Sequence, residues 1–366
     1  MRIAFDAKRA LNNPTGLGNH ARILLNALLR NFPENDYLLF SPKAREEFLD
    51  ELNGRFKIIL PETKLYKSLH PLWRSFGMNK PVIENGVNIY HGLSNELPFN
   101  IHGSGVKTVV TIHDLIFLKH TEQYPWVDRQ FYTLKTKYAV KQADKIIAVS
   151  NETKQDLIVM YGVSEHKIEV IYPSVDPMFY QPVKKQSAST GSKYILNVGS
   201  FVPRKNQKKL IEAFALIADK IEEDLWLAGK GKMEKEIAAL ITDKKLSRRI
   251  KILSDVKNED LPALYQNASA FVFPSLFEGF GAPVLEALFS GTPVIATKGG
   301  AIEEAAGVNS LFIDPASSTD IAEKILAVLS NESVGKKMTT QGFLHAQTMS
   351  DKVFAEKTMK VYREVL

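Results

Sequence analysis

The sequence predicts an α/β protein made of two parallel-sheet domains joined by a polar linker. Three observations predict it. Short apolar runs alternate with longer helix-period patterns along the whole chain, the signature of strand–helix units. The runs end in Asp6, His91, His113, Ser150, Gly199, Gly229, Pro274 and Thr297, and open α/β sheets bind ligands beyond the carboxyl ends of their strands. Any strand must end in a turn former, so the pattern over both halves carries more weight than any one member. Finally, residues 173–192 are polar, proline-bearing and poor in apolar side chains, as a linker is.

In the first half the strands fall near Ile3–Phe5, Tyr37–Phe40, Lys57–Leu60, Val87–Tyr90, Thr108–Ile112 and Lys145–Val149. In the second they fall near Tyr194–Val198, Leu225–Ala228, Ile250–Leu253, Ala270–Phe273, Pro293–Ala296 and Ser310–Ile313. This divides the chain into an N-terminal domain 1–172, the linker 173–192, a C-terminal domain 193–349 and a terminal segment 350–366. The last segment carries Val353, Phe354, Met359, Tyr362 and Leu366 among charges and reads as an amphipathic helix. No repeat of solenoid length is present.

Composition narrows the function classes. The 366 residues, 45% hydrophobic and 24% charged, suit two globular domains of ordinary size. Cysteine is absent, which removes disulfides, thiolate metal sites and a cysteine nucleophile, and suits a reducing compartment. The chain opens on a strand-like Met-Arg-Ile-Ala-Phe-Asp with no apolar signal region, and no run approaches the roughly 18 apolar residues of a spanning helix. The expectation is a cytoplasmic protein. A net charge of +6 favours anionic partners without choosing among phosphates, nucleic acid and an acidic membrane.

The strongest chemical signal is the stretch from Phe273 to Ala287, where a strand ends, a glycine-bearing loop holds Glu278, and a helix opens with Pro283 in its first turn. Backbone N–H groups from Gly281 to Val284 would then face an anion. Glu286 lies one turn into that helix, so the two carboxylates can meet different parts of one extended ligand. A lone acid near a helix start is usually simple dipole complementarity, but the loop composition argues against that here. A second signal follows the strand ending at Gly199, where Arg204 and Lys205 occupy a strand-to-helix loop suited to phosphate oxygens. Lys208 and Lys209 read as a solvated face.

These two segments resemble retaining glycosyltransferases of family 4. The resemblance extends to Thr111-Ile112-His113-Asp114 and to Ala143 through Ser150, and covers nearly the whole chain. It is nearest to bacterial mannosyltransferases that build surface polysaccharides. It implies a GT-B fold: two Rossmann-like domains facing across a cleft, with the C-terminal helix returning to the N-terminal domain. It also implies a retaining transfer of a hexose, mannose in the first instance, from a nucleotide diphosphate sugar to a hydroxyl of a glycan or lipid-linked acceptor. GDP-mannose is the favoured donor, and no cofactor is needed. In this reading Lys205 binds the diphosphate, Glu286 the ribose, and Glu278 with Gly279, Phe280 and Gly281 the donor sugar. His113 lies beside the transferred sugar, and the Gly16-Leu17-Gly18 loop closes on the phosphates and acceptor. Gly199, Gly229 and Val256 complete the donor surface, the base being met by backbone near Ser254 to Lys257. Many members carry Arg where Ser200 stands, so Arg204 would supply that charge.

Other motifs are poorer matches. Gly16 to Ala21 imitates a dinucleotide fingerprint, but about ten residues separate it from the first strand, which that motif does not allow. Gly229-Lys230-Gly231-Lys232 lacks the spacing of a triphosphate loop and reads as a glycine turn whose backbone approaches a ligand. No Asp-x-Asp or paired histidines provide a metal site, and His91 reads as a packed residue. Residues 64–80 mix Leu65, Leu69, Leu72, Trp73 and Phe76 with Lys64, Lys67, Arg74 and Lys80 and hold no acid. That stretch is read either as a helix packed on the first domain or as a peripheral contact with the anionic inner face of a membrane. The rival functions are a nucleotide-sugar epimerase or phosphorylase on the same fold, and a non-enzymatic nucleotide-sugar-binding protein. No nucleic acid partner is expected.

Overall fold

The computed structural model describes residues 1–52, 55–99, 101, 103–182 and 193–366. The chain divides into two compact units, Met1–Ser174 with Ser350–Leu366, and Val175–Met349.

The first unit holds β1 (Arg2–Asp6), β2 (Asp36–Phe40), β3 (Lys57–Ile59), β4 (Ile89–Gly92), β5 (Lys107–Ile112), β6 (Lys145–Ala148) and β7 (Ile168–Val170). All neighbours are parallel, in the order β3-β2-β1-β4-β5-β6-β7. Alternate residues feed two cores, Ile3, Phe5, Tyr37 and Leu39 on one face and Ala4, Leu38 and Phe40 on the other. Coverage on both faces explains why these strands read as apolar runs rather than alternating ones. The second unit holds β8 (Tyr194–Val198), β9 (Asp224–Ala228), β10 (Ile250–Leu253), β11 (Ala270–Phe273), β12 (Val294–Thr297) and β13 (Leu311–Ile313), ordered β10-β9-β8-β11-β12-β13 and again parallel.

Both sheets thus share one doubly wound topology, with strand order reversing between β1 and β4 in the first and between β8 and β11 in the second. Chains leaving neighbouring strands at that point diverge to opposite faces, which opens a crevice at the carboxyl ends. The Arg204–Lys205 loop follows β8 and the Glu278 loop follows β11, so the topology alone brings them together.

The terminal helix Asp351–Val365, capped by the Ser350 hydroxyl on Val353 N–H, belongs to the first unit. Its Phe354, Met359 and Tyr362 are buried with Leu24 and Leu28 of the helix Gly16–Asn31, and Asp351 pairs with Arg30 at 2.5 Å. Part of the expected linker departs from the reading of loose chain. Pro177–Tyr180 form a 3-10 turn whose Phe179 is buried against Tyr265, while Tyr180 stacks on Phe289 at 4.0 Å. Residues 183–192 of that linker lie outside the described residues. No helix is long and apolar enough to cross a membrane among the described residues.

Candidate active site

In the second unit, Pro203–Lys205 make a 3-10 turn that ends at Asn206, a residue in left-handed conformation at φ +59°. The Asn206 side chain donates to the carbonyls of Pro274 (3.2 Å) and Pro315 (2.8 Å). Leu276 N–H donates to the Arg204 carbonyl at 2.8 Å. The Pro274 and Leu276 bonds fasten the loop after β8 to the loop after β11, and the Pro315 bond fastens it to the segment after β13. Asn206 is the positioning residue that sequence reasoning missed; its signal was its place directly after the two cations and before a helix, where Asn tolerates positive φ.

The clamp sets charge against charge. Glu278 Oε1 lies 2.5 Å from Lys205 Nζ and 2.5 Å from Arg204 Nη1. Lys205 is 8% exposed, and its ammonium sits 4.7 Å from the centre of the Phe273 ring. Burial pushes the lysine pKa down, Glu278 opposes this, and the net direction is downward. For Glu278 burial pushes the carboxyl up, but the two cations outweigh it and hold it below its ordinary value. Two cations share one carboxylate, so a positive charge is left over at the mouth of the crevice. The sequence reading gave these residues separate parts of a ligand; the structure pairs them with each other.

Gly281, at φ +113°, caps the helix Ala282–Phe289, a conformation open only to glycine at low cost. The anion-facing amides differ from the expected set. Pro283 has no N–H and Val284 N–H donates to Gly281 at 2.9 Å, which leaves Gly279, Gly281 and Ala282 as the amides with no carbonyl partner among the described residues. Phe280 is buried beside them. Glu286 points elsewhere: its Oε2 accepts from the Tyr265 hydroxyl at 2.8 Å, and burial raises its pKa to about 7 against the pull of Tyr265 and Lys205. Tyr265, fully buried, is a second residue the sequence reading did not single out.

The glycine turn after β9 has a packing reason of its own. A Cβ on Gly229 would come within 2.0 Å of the Gly199 carbonyl oxygen, and one on Gly231 within 2.5 Å of the Phe201 carbonyl oxygen. The close approach is therefore made to neighbouring backbone, which fixes the loop after β8. Val256 lies half-buried in the loop after β10.

In the first unit Gly16 and Gly18 are the opening turn of the helix Gly16–Asn31, capped by Thr15, and not a loop. Gly16 has open space around it, whereas a Cβ on Gly18 would meet the Asn13 carbonyl oxygen at 1.8 Å. His113 follows β5. Its Nε2–H donates to the Leu93 carbonyl at 2.8 Å, which leaves Nδ1 as an acceptor, and burial pushes its pKa down to about 4. The His20 ring meets it edge-on at 4.6 Å. His91 is hydrogen-bonded at both nitrogens, to Tyr362 (2.6 Å) and Thr111 (2.8 Å), the arrangement of a packed residue. Among the described residues no cluster of three or more histidine or acidic side chains is gathered as a metal would need.

Comparison with known proteins agrees in both units. Residues 14–179 match the model "Glycosyltransferase Family 4" and residues 181–345 the model "Glycosyl transferases group 1". O-antigen chain mannosyltransferase B of Escherichia coli is 28% identical to this chain, covering 99% of it and 100% of the relative. Among solved structures, a glycosyltransferase from Rickettsia africae is similar over 100% of this chain and 98% of its own (TM-score 0.77, 18% identity). Anabaena Alr3699/HepE in complex with UDP and glucose is similar over 100% of both (TM-score 0.76, 17% identity). With two doubly wound sheets, and family matches that run through nearly all of the sequence, the chain is a glycosyltransferase of GT-B fold and belongs to glycosyltransferase family 4.

Proposed function

We propose that the enzyme transfers mannose with retention from GDP-mannose to a hydroxyl of a glycan or lipid-linked glycan, without a metal or cofactor. The single observation that carries this is the shared Glu278 carboxylate between Lys205 and Arg204. A departing diphosphate carries more negative charge than one carboxylate, so it can take over both cations, and Glu278 is then released to the sugar hydroxyls. The acceptor oxygen attacks the anomeric carbon on the face from which the nucleotide leaves; the bond to the diphosphate breaks, and a phosphate oxygen receives the acceptor proton. The protein's part is position and electrostatics.

Other residues take supporting roles. Gly279, Gly281 and Ala282 amides meet the sugar and diphosphate, and Glu286 accepts from the ribose. Gly199 and Gly229 shape the phosphate loop, and Val256 adjoins the base. The first unit supplies neutral His113, whose Nδ1 accepts from a sugar hydroxyl, and the Gly16–Gly18 helix start as an anion-facing turn. Mannose as the sugar is supported by the O-antigen mannosyltransferase among the relatives. The basic stretch 64–80 is assigned to peripheral contact with an anionic membrane on the cytoplasmic side.

The test is proton NMR of the product formed from GDP-α-mannose and a mannoside acceptor, with and without a chelator. An α-linked product formed equally in both conditions supports the proposal. A β-linked product or a covalent mannosyl-enzyme contradicts it.

A further inference from the structure

The helix Trp126–Gln142 carries two apolar faces. Thr136, Ala139 and Val140 are buried against the sheet. Opposite them, at the helical repeat i, i+4, i+7, i+11, stand Val127, Phe131, Leu134 and Tyr138, of which the first three are 54%, 60% and 59% exposed. Core packing accounts for the first face and for Tyr138, which is partly buried against the same core, and leaves Val127, Phe131 and Leu134 unexplained. Residues 64–80 repeat the pattern in a different backbone. They form the short helices Lys64–Ser68 and His70–Leu72, a π-turn Trp73–Gly77 and the start of Asn79–Glu84 rather than one helix. Trp73 turns inward and is buried, while Leu65, Leu69, Leu72 and Phe76, again at i, i+4, i+7, i+11, are 38% to 57% exposed.

The two stripes join. Phe76 stacks on Phe99 at 5.4 Å, and Phe99 meets Tyr138 edge-on at 4.6 Å. Lysines accompany them: Lys64, Lys67, Lys137 and Lys141 are exposed, Lys80 is exposed and pairs with Glu84 at 3.6 Å, and Asp128 is the one acid within residues 64–80 or 126–142. A contiguous apolar surface rimmed by cations marks an interaction site. The sign of the rim selects its occupant, because such faces enter the headgroup region of anionic bilayers.

We infer that the outward face of the Trp126–Gln142 helix forms, with residues 64–76, one docking surface for an anionic lipid bilayer, with Trp126 at its leading end. The inference extends the membrane reading of residues 64–80 and makes this helix indispensable to it. Trp126 provides a built-in reporter, since it is 67% exposed while Trp73 and Trp226 are 2% and 8% exposed.

The experiment uses the full chain with vesicles of phosphatidylcholine alone or with about one third phosphatidylglycerol, read by sedimentation and tryptophan emission. The wild type is expected to sediment with the anionic vesicles only, less at high salt, with a blue shift that Trp126→Phe abolishes. Phe131→Ser with Leu134→Ser, which leaves residues 64–80 untouched, should weaken partition at least about tenfold, since inserting each large apolar side chain is worth about that factor or more. GDP binding, measured on the same samples, should not change. Wild type that remains in the supernatant, a double variant that binds like wild type, or a vesicle-free dimer that Phe131→Ser with Leu134→Ser dissolves would each overturn the inference. Because GDP binding is read separately, such a result would leave the transferase proposal standing.

Discussion

The same topological position is used twice, for opposite ends. At the carboxyl end of β1, beside the strand-order reversal of the first sheet, Arg74 pairs with Asp6 at 2.5 Å and Glu96 at 3.0 Å, and Lys135 pairs with the same Glu96 oxygen at 3.0 Å. Here the ion pairs set two cations against two carboxylates, with Lys8 a further cation near all of Asp6, Arg74 and Glu96. At the equivalent end of β8 two cations meet one carboxylate. Arg74 and Asp6, each buried on both sides of the pair, clamp residues 73–77 to the sheet, whereas Arg204 remains 29% exposed, facing solvent with charge to spare. Fold alone does not make a site; an unbalanced charge at the right place does.

The largest effect should separate the two clusters by what they support. Arg74→Ala strands a buried Asp6 carboxylate and should cost about 3–5 kcal/mol of stability in urea unfolding. Nucleotide affinity of the surviving folded protein should be unchanged. Lys205→Ala should do the reverse, lowering kcat by about 10² to 10³ when a preorganised charge at the leaving group is lost, with Arg204→Ala costing less. An effect confined to KM would mean that lysine serves ground and transition states alike and would break the contrast.

A smaller effect concerns pH. His20, His91 and His113 are all held below the ordinary histidine value, first by burial; His91 lies at about 3 and His113 at about 4. Unfolded histidine binds a proton near pH 6.5, so the stability these residues contribute is present above that value and is lost as pH falls toward 4. The slope is about 1.4 kcal/mol per pH unit for each fully shifted group. Glu286, raised to about 7, has the opposite sign: its contribution is present below about pH 4.5 and is lost as pH rises through 7. Across pH 5 to 8, urea midpoints should rise less steeply with pH below 6.5 in His91→Gln, and more steeply below 7 in Glu286→Gln, which removes the opposing slope. Equal slopes in both variants would contradict the assignment.

Much of this was legible because buried parallel strands leave continuous apolar runs, and twelve of the thirteen strands lie where such runs lie. The exception, β7, is three residues long with an exposed Glu169 at its centre, which breaks the apolar run. Glu278, Arg204 and Lys205 were legible as charges in strand-to-helix loops. What they do to one another was not, since contact between residues 73 apart depends on strand order. Glycines have a structural reason that their sequence context did not show. Gly16–Gly18 and Gly229–Gly231 look like ligand loops, but at Gly18, Gly229 and Gly231 backbone carbonyls occupy the space a side chain would need. Asn206 and Tyr265 carry no chemistry of their own, so only their hydrogen bonds reveal their use.

The central claim is that Glu278 is a stand-in for the diphosphate on Lys205 and Arg204, while Glu286 belongs to the nucleoside. Calorimetric titration of GDP, which lacks the sugar, into wild type, Glu278→Gln and Glu286→Gln tests it most directly. Hydrogen bonds to charged groups are worth about 1.5–3 kcal/mol, so Glu286→Gln should weaken GDP at least about tenfold. Glu278→Gln should bind GDP as well as wild type or more tightly, its cations no longer occupied. GDP binding lost in Glu278→Gln and retained in Glu286→Gln would contradict the account.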